Sequence, residues 1–360
     1  MQMILRLLAA ALIALAAYLS LWPVAVQPVA WQAPEDPGYT GPYAPNTRLA
    51  ALQRIDIGPG TGPEDAALGP DGLIYVATHE GNILRLPPEG PAELFASTGG
   101  RPLGIEFGPD GTLYIADAYL GLLAAAPDGT LTTLAAETAD GAPILYADDL
   151  DIAPDGTVYF SDASTRFAAR DHGTLAASVL DLIEHSANGR ILKFDPATRQ
   201  TTVFAEGLTF ANGVAVAAAT DSLLVVETGT YSVWRYPLAS GPGAVILGPL
   251  PGFPDNINPG PDGSFWIGLV SPRNALMDGL SENTFLRRMI VRLPDAMKPA
   301  PTRYGFLIRM DGAGNVLETL QDPAGAYALT TGAISLPDGR IVVTSLGEPD
   351  LAILPAASRP

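Results

Sequence analysis

Glu64, Asp148 and Asp255 each lie seven positions before the Asp of a Pro-Asp-Gly tripeptide, at Asp71, Asp155 and Asp262. An equal register in a radially repeated strand unit means equal height and equal distance from the axis, so these side chains converge on one point. Like charges a few ångströms apart in a low-dielectric channel repel strongly, and a bound cation resolves the conflict. Asn212, in FANGV, precedes its turn residue Asp221 by nine positions; a two-residue expansion in AAATDS restores the register and adds a fourth oxygen donor. Donors drawn only from Glu64, Asp148, Asn212 and Asp255, without cysteine or a suitably spaced histidine pair, suit Ca2+ better than a transition metal. Asp65, Asp149 and Asn256 each follow a ring residue, where they can hydrogen-bond to the ligands or hold a second ion. A single acidic residue is more often a turn or cap; the matched register is what favours a metal.

The elements that must position this ring are legible as a repeat. Pro-Asp-Gly followed by a β-rich run recurs at Pro70, Pro109, Pro154, Pro261 and Pro337, and a copy at Thr220 keeps the strand but degrades the turn. Asp-Gly is a strong hairpin signal because glycine supplies positive φ without a steric penalty. Further strand-like runs follow each copy, giving six units of about four strands. Such turns also occur in β-sandwiches, but reuse of one motif at repeat-length spacing predicts an all-β, six-bladed β-propeller with short helical insertions on the ligand face. The last unit, Gly332 to Leu354, has room for about three strands. LAALQRIDIG, ahead of the first unit, is expected to supply the fourth, joining the chain ends and removing exposed sheet edges.

In an antiparallel blade, the entry to the innermost strand and the loop from second to third strand share one face, opposite the Pro-Asp-Gly turns. The ring residues and two long insertions, around Ser164–Ser186 and Ser271–Tyr304, therefore share a rim. Leu175, Val179, Leu182 and Ile183 have helical spacing, as do Phe285, Leu286, Met289 and Ile290 beside Arg287 and Arg288. These helices serve as a lid or apolar wall over the channel, or else only cover blade edges or meet a membrane or partner. Of the three histidines, His79 falls in a turn, and His172 and His185 in the first insertion. His185 lies near the mouth, as an acid or base or, on the commoner reading, a surface or capping residue.

Only 16% of the 360 residues are charged, and 38 Gly with 34 Pro fit a turn-dense β protein. A net charge of -18 with no basic cluster argues against nucleic acid and anionic membrane surfaces as partners. Cysteine is absent, which removes disulfides and thiolate chemistry. Residues 1–22 read as a signal anchor or signal peptide: Leu7–Trp22 is nearly unbroken Leu, Ala and Ile behind Arg6. No small-x-small cleavage site precedes Pro23, which favours an anchor. Membrane attachment then runs through this segment, with the propeller on the exported side (periplasmic, lumenal or extracellular), or the protein is secreted if the segment is cleaved. Residues 23–48 form a Pro-rich linker, either an extended tether or a surface strap, and 49–357 the propeller.

The motifs GPEDAALGPDG, GRPLGIEF, DDLDIAPDGTVYFSDASTRF, FANGVAV and LPGFPDNINPGPDGSFWIG resemble the strictosidine synthase-like proteins. That family includes the adipocyte plasma membrane-associated group and lies within the SMP-30, gluconolactonase and paraoxonase superfamily. The resemblance spans roughly residues 49 to 355 and implies that Glu64, Asn212 and Asp255 occupy calcium-ligand positions, with Asp148 where relatives usually carry Asn. It also implies departures. Leu103 stands where paraoxonases have a catalytic His, and Thr331 and Gly332 where strictosidine synthase has its catalytic Glu, which argues against Pictet-Spengler condensation. The expected activity is a Ca2+-dependent hydrolase of a small-molecule ester or lactone, with Asp255 or Asp149 taking a proton from attacking water. The other reading is a non-enzymatic membrane-tethered propeller whose ion is structural and whose rim binds a small ligand or protein partner.

Overall fold

Each Pro-Asp-Gly turn is built the same way: its Asp accepts a backbone hydrogen bond two residues on, as Asp71 does from Leu73 and Asp155 from Thr157, and its Gly holds positive φ, 79° at Gly72 and 87° at Gly156. The computed structural model describes residues 1–58, 60–239 and 241–356. After the helix α1 (Gln2–Leu21) and strand β1 (Gln53–Asp56), the described strands form six four-stranded antiparallel sheets. Blade one holds β2 (Asp65–Leu68), β3 (Ile74–Ala77), β4 (Asn82–Leu86) and β5 (Glu93–Ser97). Blade two holds β6 (Pro102–Phe107), β7 (Leu113–Asp117), β8 (Gly121–Ala125) and β9 (Leu131–Ala135). In blade three, β10 (Ala147–Ile152) and β11 (Val158–Asp162) are separated from β12 (Gly189–Asp195) and β13 (Gln200–Leu208) by helices α2 (Ala169–His172) and α3 (Thr174–Glu184). Blade four comprises β14 (Ala211–Ala217), β15 (Ser222–Glu227), β16 (Ser232–Pro237) and β17 (Ala244–Leu247). In blade five, β18 (Gly252–Pro259) and β19 (Ser264–Pro272) lead to α4 (Ala275–Gly279) and α5 (Thr284–Val291), then β20 (Gly305–Asp311) and β21 (Val316–Asp322). Blade six is β22 (Thr330–Ser335), β23 (Ile341–Ser345) and β24 (Asp350–Leu354).

The chain is thus a six-bladed β-propeller, and both insertions follow second strands, as expected. Ring closure is also as expected: β1 pairs antiparallel with β24, Gln53 opposite Ile353, completing the last blade from the N-terminal side. Apolar side chains fill the seams between blades, as where Val76 and Leu84 of blade one meet Val342 and Leu351 of blade six. The anticipated propeller boundary at residue 357 lies outside the described residues.

Residues 23–48 run as a strap over the rim. Val26 is buried among lid residues, the amides of Gln27 and Val29 donate to Glu184, at its carboxylate (2.6 Å) and its carbonyl (2.8 Å), and the amide of Trp31 donates to the Ser281 carbonyl. Further along, Tyr43 enters the core between blades four and five. The helix α1 has no buried residue; at 20 residues with mean hydropathy 2.2 it is long and apolar enough to cross a membrane.

Candidate functional site

The expected ring is assembled by a repeated irregularity. Pairing between innermost and second strands slips between Ala147 and Leu150, Ala211 and Val214, Pro254 and Ile257, and likewise in blades two and six. Each slip is a bulge at the ring register, a device that re-aims a side chain, and it turns Asp148, Asn212 and Asp255 toward the axis. Glu64 reaches the same place from the residue before β2. All four line one cavity and are nearly inaccessible, at 1% exposure for Glu64 and 6% for Asp255.

Their electrostatics are those of carboxyls crowded out of water. Burial, then the charges of Asp255 and Asp148, pushes Glu64 far up; burial and Asp255 do the same to Asp148. Burial raises Asp255 to about 7 against the lowering effect of a hydrogen bond from Asn212 Nδ2 to its Oδ1, 2.5 Å. Among the described residues no three Asp, Glu or His side chains form a ready-made metal cluster. The ring nevertheless leaves Glu64 Oε2, Asn212 Oδ1 and Asp255 Oδ2 buried without a hydrogen-bond partner. Orphaned buried oxygens carry a desolvation penalty, and hard oxygen donors of this kind fit Ca2+.

Asp65, Asp149 and Asn256 do something different. Asp149 is absent from the cavity lining; its Oδ1 accepts from Leu150 N and its Oδ2 from Val214 N of the next blade, both at 2.8 Å. Asp65 Oδ2 likewise accepts from Ile105 N of blade two at 2.9 Å, and Asn256 Nδ2 donates to Glu64. In blades two, four and six the same register is occupied by Gly104, Gly213 and Gly332. A Cβ at Gly104 would stand 2.7 Å from Asp149 Cα, and one at Gly213 2.5 Å from Ile257 N. Acid or amide therefore alternates with glycine around the ring, because neighbouring innermost strands approach too closely for both to carry a side chain. Asp149, expected as a possible base, has both oxygens engaged, Oδ1 within its own strand and Oδ2 across to blade four, and its side chain stands outside the cavity lining.

Two positions before the ring register lies a second ring that sequence reading missed: Arg101, Tyr146, Phe210, Phe253 and Leu329 all line the cavity wall. Applying the register argument two residues earlier would have found it. Phe210 and Leu329 hold left-handed backbone, φ 57° and 54°, strain of a sort that gathers at functional sites. Arg101 is 1% exposed, its Nε has no partner, and its charge favours ionisation of both Glu64 and Asp148. It offsets one of the three ring carboxylates and leaves two negative charges when all are ionised, the complement of a divalent cation. His79, read as a turn residue, also reaches the cavity.

The cavity holds about 380 Å3 between the ring and the lid. Leu182 and Ile183 of α3, Met277 of α4 and Ile290 of α5 supply apolar walls. Tyr146 ties ring to lid by donating its hydroxyl to the Thr174 carbonyl, 3.0 Å. The predicted α5 face is only partly right: Ile290 is buried but Phe285 is 51% exposed, and Arg287 turns inward instead. Its guanidinium donates to the carbonyls of Val29, Ser281, Leu182 and Ile183, joining strap, α3 and α5. His185 caps α3 in left-handed backbone and lines the cavity, but is buried and stacked on Trp31 at 3.8 Å. Burial and the charge of Arg287 lower it to about 3, which leaves it neutral and a poor proton acceptor near pH 7.

Residues 148–241 match the family described as strictosidine synthase, and residues 41–86 the strictosidine synthase-like N-terminal family. The chain is 32% identical to the adipocyte plasma membrane-associated protein of Homo sapiens over 359 residues, 92% of this chain and 84% of that one. It is 34% identical to protein strictosidine synthase-like 10 of Arabidopsis thaliana over 331 residues, 83% of this chain and 86% of that one. Among solved structures, a gluconolactonase of Xanthomonas campestris superposes with TM-score 0.62 at 15% identity, covering 93% of this chain and 99% of its own. A regucalcin of Agrobacterium tumefaciens, described as a calcium-binding protein, gives 0.59 at 17%, covering 84% and 92%. At these identities the two structures bear on the fold alone.

Proposed function

The chain belongs to the strictosidine synthase-like family, and from that premise we propose that it is a Ca2+-dependent hydrolase of lactones or aryl esters. The observation that carries this is the set of buried, unpartnered oxygens on Glu64, Asn212 and Asp255 at the floor of a mostly apolar cavity. Glu64, Asp148, Asn212 and Asp255 would hold the ion. When bound, Ca2+ supplies a Lewis acid that polarises a substrate carbonyl and stabilises the oxyanion. Asp255, one of whose oxygens is held by Asn212, is the residue placed to accept a proton from attacking water at the cavity floor. Arg101 adds a fixed positive charge to the same floor, while the lid and Phe210 and Phe253 exclude bulk water and hold an apolar acyl or aryl group. Asp149 is left out of the chemistry. The helix α1 acts as an uncleaved anchor, with the propeller on the exported side.

The test is a panel of lactones and phenyl esters assayed before and after chelation. Turnover lost with chelator, restored by Ca2+ and absent in Asp255→Asn supports the reading. A chelator that lowers thermal stability of a protein inert on every substrate would assign the ion a structural role instead.

A further inference from the structure

Apolar side chains are exposed on the outer faces of the three larger lid helices. Leu175 (60%) and Val179 (37%) stand on α3, Leu276 (59%) on α4 and Phe285 (51%) on α5. The inner faces of the same helices pack into one cluster, Ala177 and Ile183 with Met277, Leu280 and Ile290. The exposed residues thus belong to the outside of a single packed unit, and Leu175 and Val179 also line the cavity mouth.

This unit is attached to α1 without slack. Arg292, just beyond α5, donates from Nε to the Trp22 carbonyl (2.6 Å) and from Nη1 to the Leu19 carbonyl (2.8 Å), and Tyr18 donates its hydroxyl to the Arg292 carbonyl (3.1 Å). Leu19 and Trp22 carbonyls at a helix C-terminus lack intrahelical partners, so Arg292 acts as a cap that fixes α1 to the lid. The strap that follows is sewn between α3 and the start of α5 through Glu184, Ser281 and Arg287. Wherever α1 enters a bilayer, the lid is held beside its exit point.

We propose that the outer face of the lid docks on the lipid bilayer that α1 enters, so that the cavity mouth opens onto lipid and draws an amphipathic, poorly water-soluble ligand from it. The net charge of -18 disfavours attraction to anionic headgroups, so the contact is apolar insertion at the interface. The proposal rests on α1 being retained as an anchor and does not depend on the hydrolytic reading.

Because the chain has no cysteine, single nitroxide labels can be placed in the full chain without a background. Leu175→Cys, Leu276→Cys and Phe285→Cys report on the lid; Leu94→Cys on β5 and Leu317→Cys on β21, 64% and 52% exposed, report on blade surfaces. In phosphatidylcholine vesicles, the ratio of collision with oxygen to collision with a water-soluble nickel chelate is expected to be several-fold higher at the three lid sites than at the two blade sites. Protein that floats with the vesicles but gives equal ratios at all five sites overturns lid docking and leaves the anchor standing. Protein that does not float overturns the anchor and the docking together.

Discussion

Loading the hub with Ca2+ at pH 7 is expected to release protons. Burial and mutual repulsion hold Glu64 and Asp148 far above the usual carboxylate range and Asp255 at about 7. In the metal-free hub at pH 7 Asp255 is about half protonated, and the upward shifts of Glu64 and Asp148 favour their protonated forms, whereas carboxylate ligands bind deprotonated. Full loading releases about half a proton from Asp255 at pH 7, and Glu64 and Asp148 add to that release in proportion to how far burial keeps them protonated. Affinity then falls as pH falls, by about 1.4 kcal/mol per pH unit for each proton released. Calorimetric titration in buffers of different ionisation heat measures the number directly, as the slope of observed enthalpy against buffer enthalpy. Asp255→Asn exchanges a charged ligand oxygen for a neutral one and removes a titrating group: the slope should drop by about half a proton at pH 7, and Ca2+ affinity by about 100-fold, or ~2.7 kcal/mol. Tight binding whose heat is the same in every buffer would refute the picture of buried, protonated carboxyls, and no binding at millimolar Ca2+ would refute the cation site.

Two further outcomes separate chemistry from architecture. Asp149→Ala strips Val214 N and Leu150 N of their acceptor and should cost ~1–3 kcal/mol in denaturant unfolding, with Ca2+ affinity within about threefold of the parent since Asp149 is not a ligand; a hundredfold loss of affinity at unchanged stability would return Asp149 to the site. Asp181, buried on the lid helix α3 and hydrogen-bonded from Ser164, is raised by burial to about 7. Its folded value lies above its unfolded one, so the folded state keeps the proton across pH ~4 to ~7 and stability declines as pH rises through that window. Asp181→Asn should flatten this slope and stabilise at pH 8 by ~2–4 kcal/mol, read as the melting temperature against pH; equal slopes in both proteins would exclude Asp181 as the source.

The fold was legible because its signals are local and repeated. Asp71, Asp155 and Asp262 mark turns by chemistry that needs no tertiary context, and counting back from them reaches the ring. Arg101 escaped because no other blade carries a charge at its register, where Tyr146, Phe210, Phe253 and Leu329 stand, so no shared residue type drew the register count to that position. The place of Asp149 outside the cavity lining was not legible, because adjacency in sequence to Asp148 says nothing about direction: successive side chains of a strand leave on opposite faces. Arg287 was read only as a charge beside an apolar stripe, yet among the carbonyls it binds are those of Val29 and Leu182, partners separated too far along the chain for any periodicity to reveal. The strap was readable only as a proline-rich stretch, since its fixed position depends on those same distant groups.

The alternation of Asp65, Gly104, Asp149, Gly213, Asn256 and Gly332 gives the wheel a parity. An even-numbered blade is not interchangeable with its odd neighbour, because two bulky residues at that register would collide and two glycines would leave backbone amides unmet. Adding or removing one blade would set two side chains or two glycines next to each other at that register, whereas a change of two blades keeps the order.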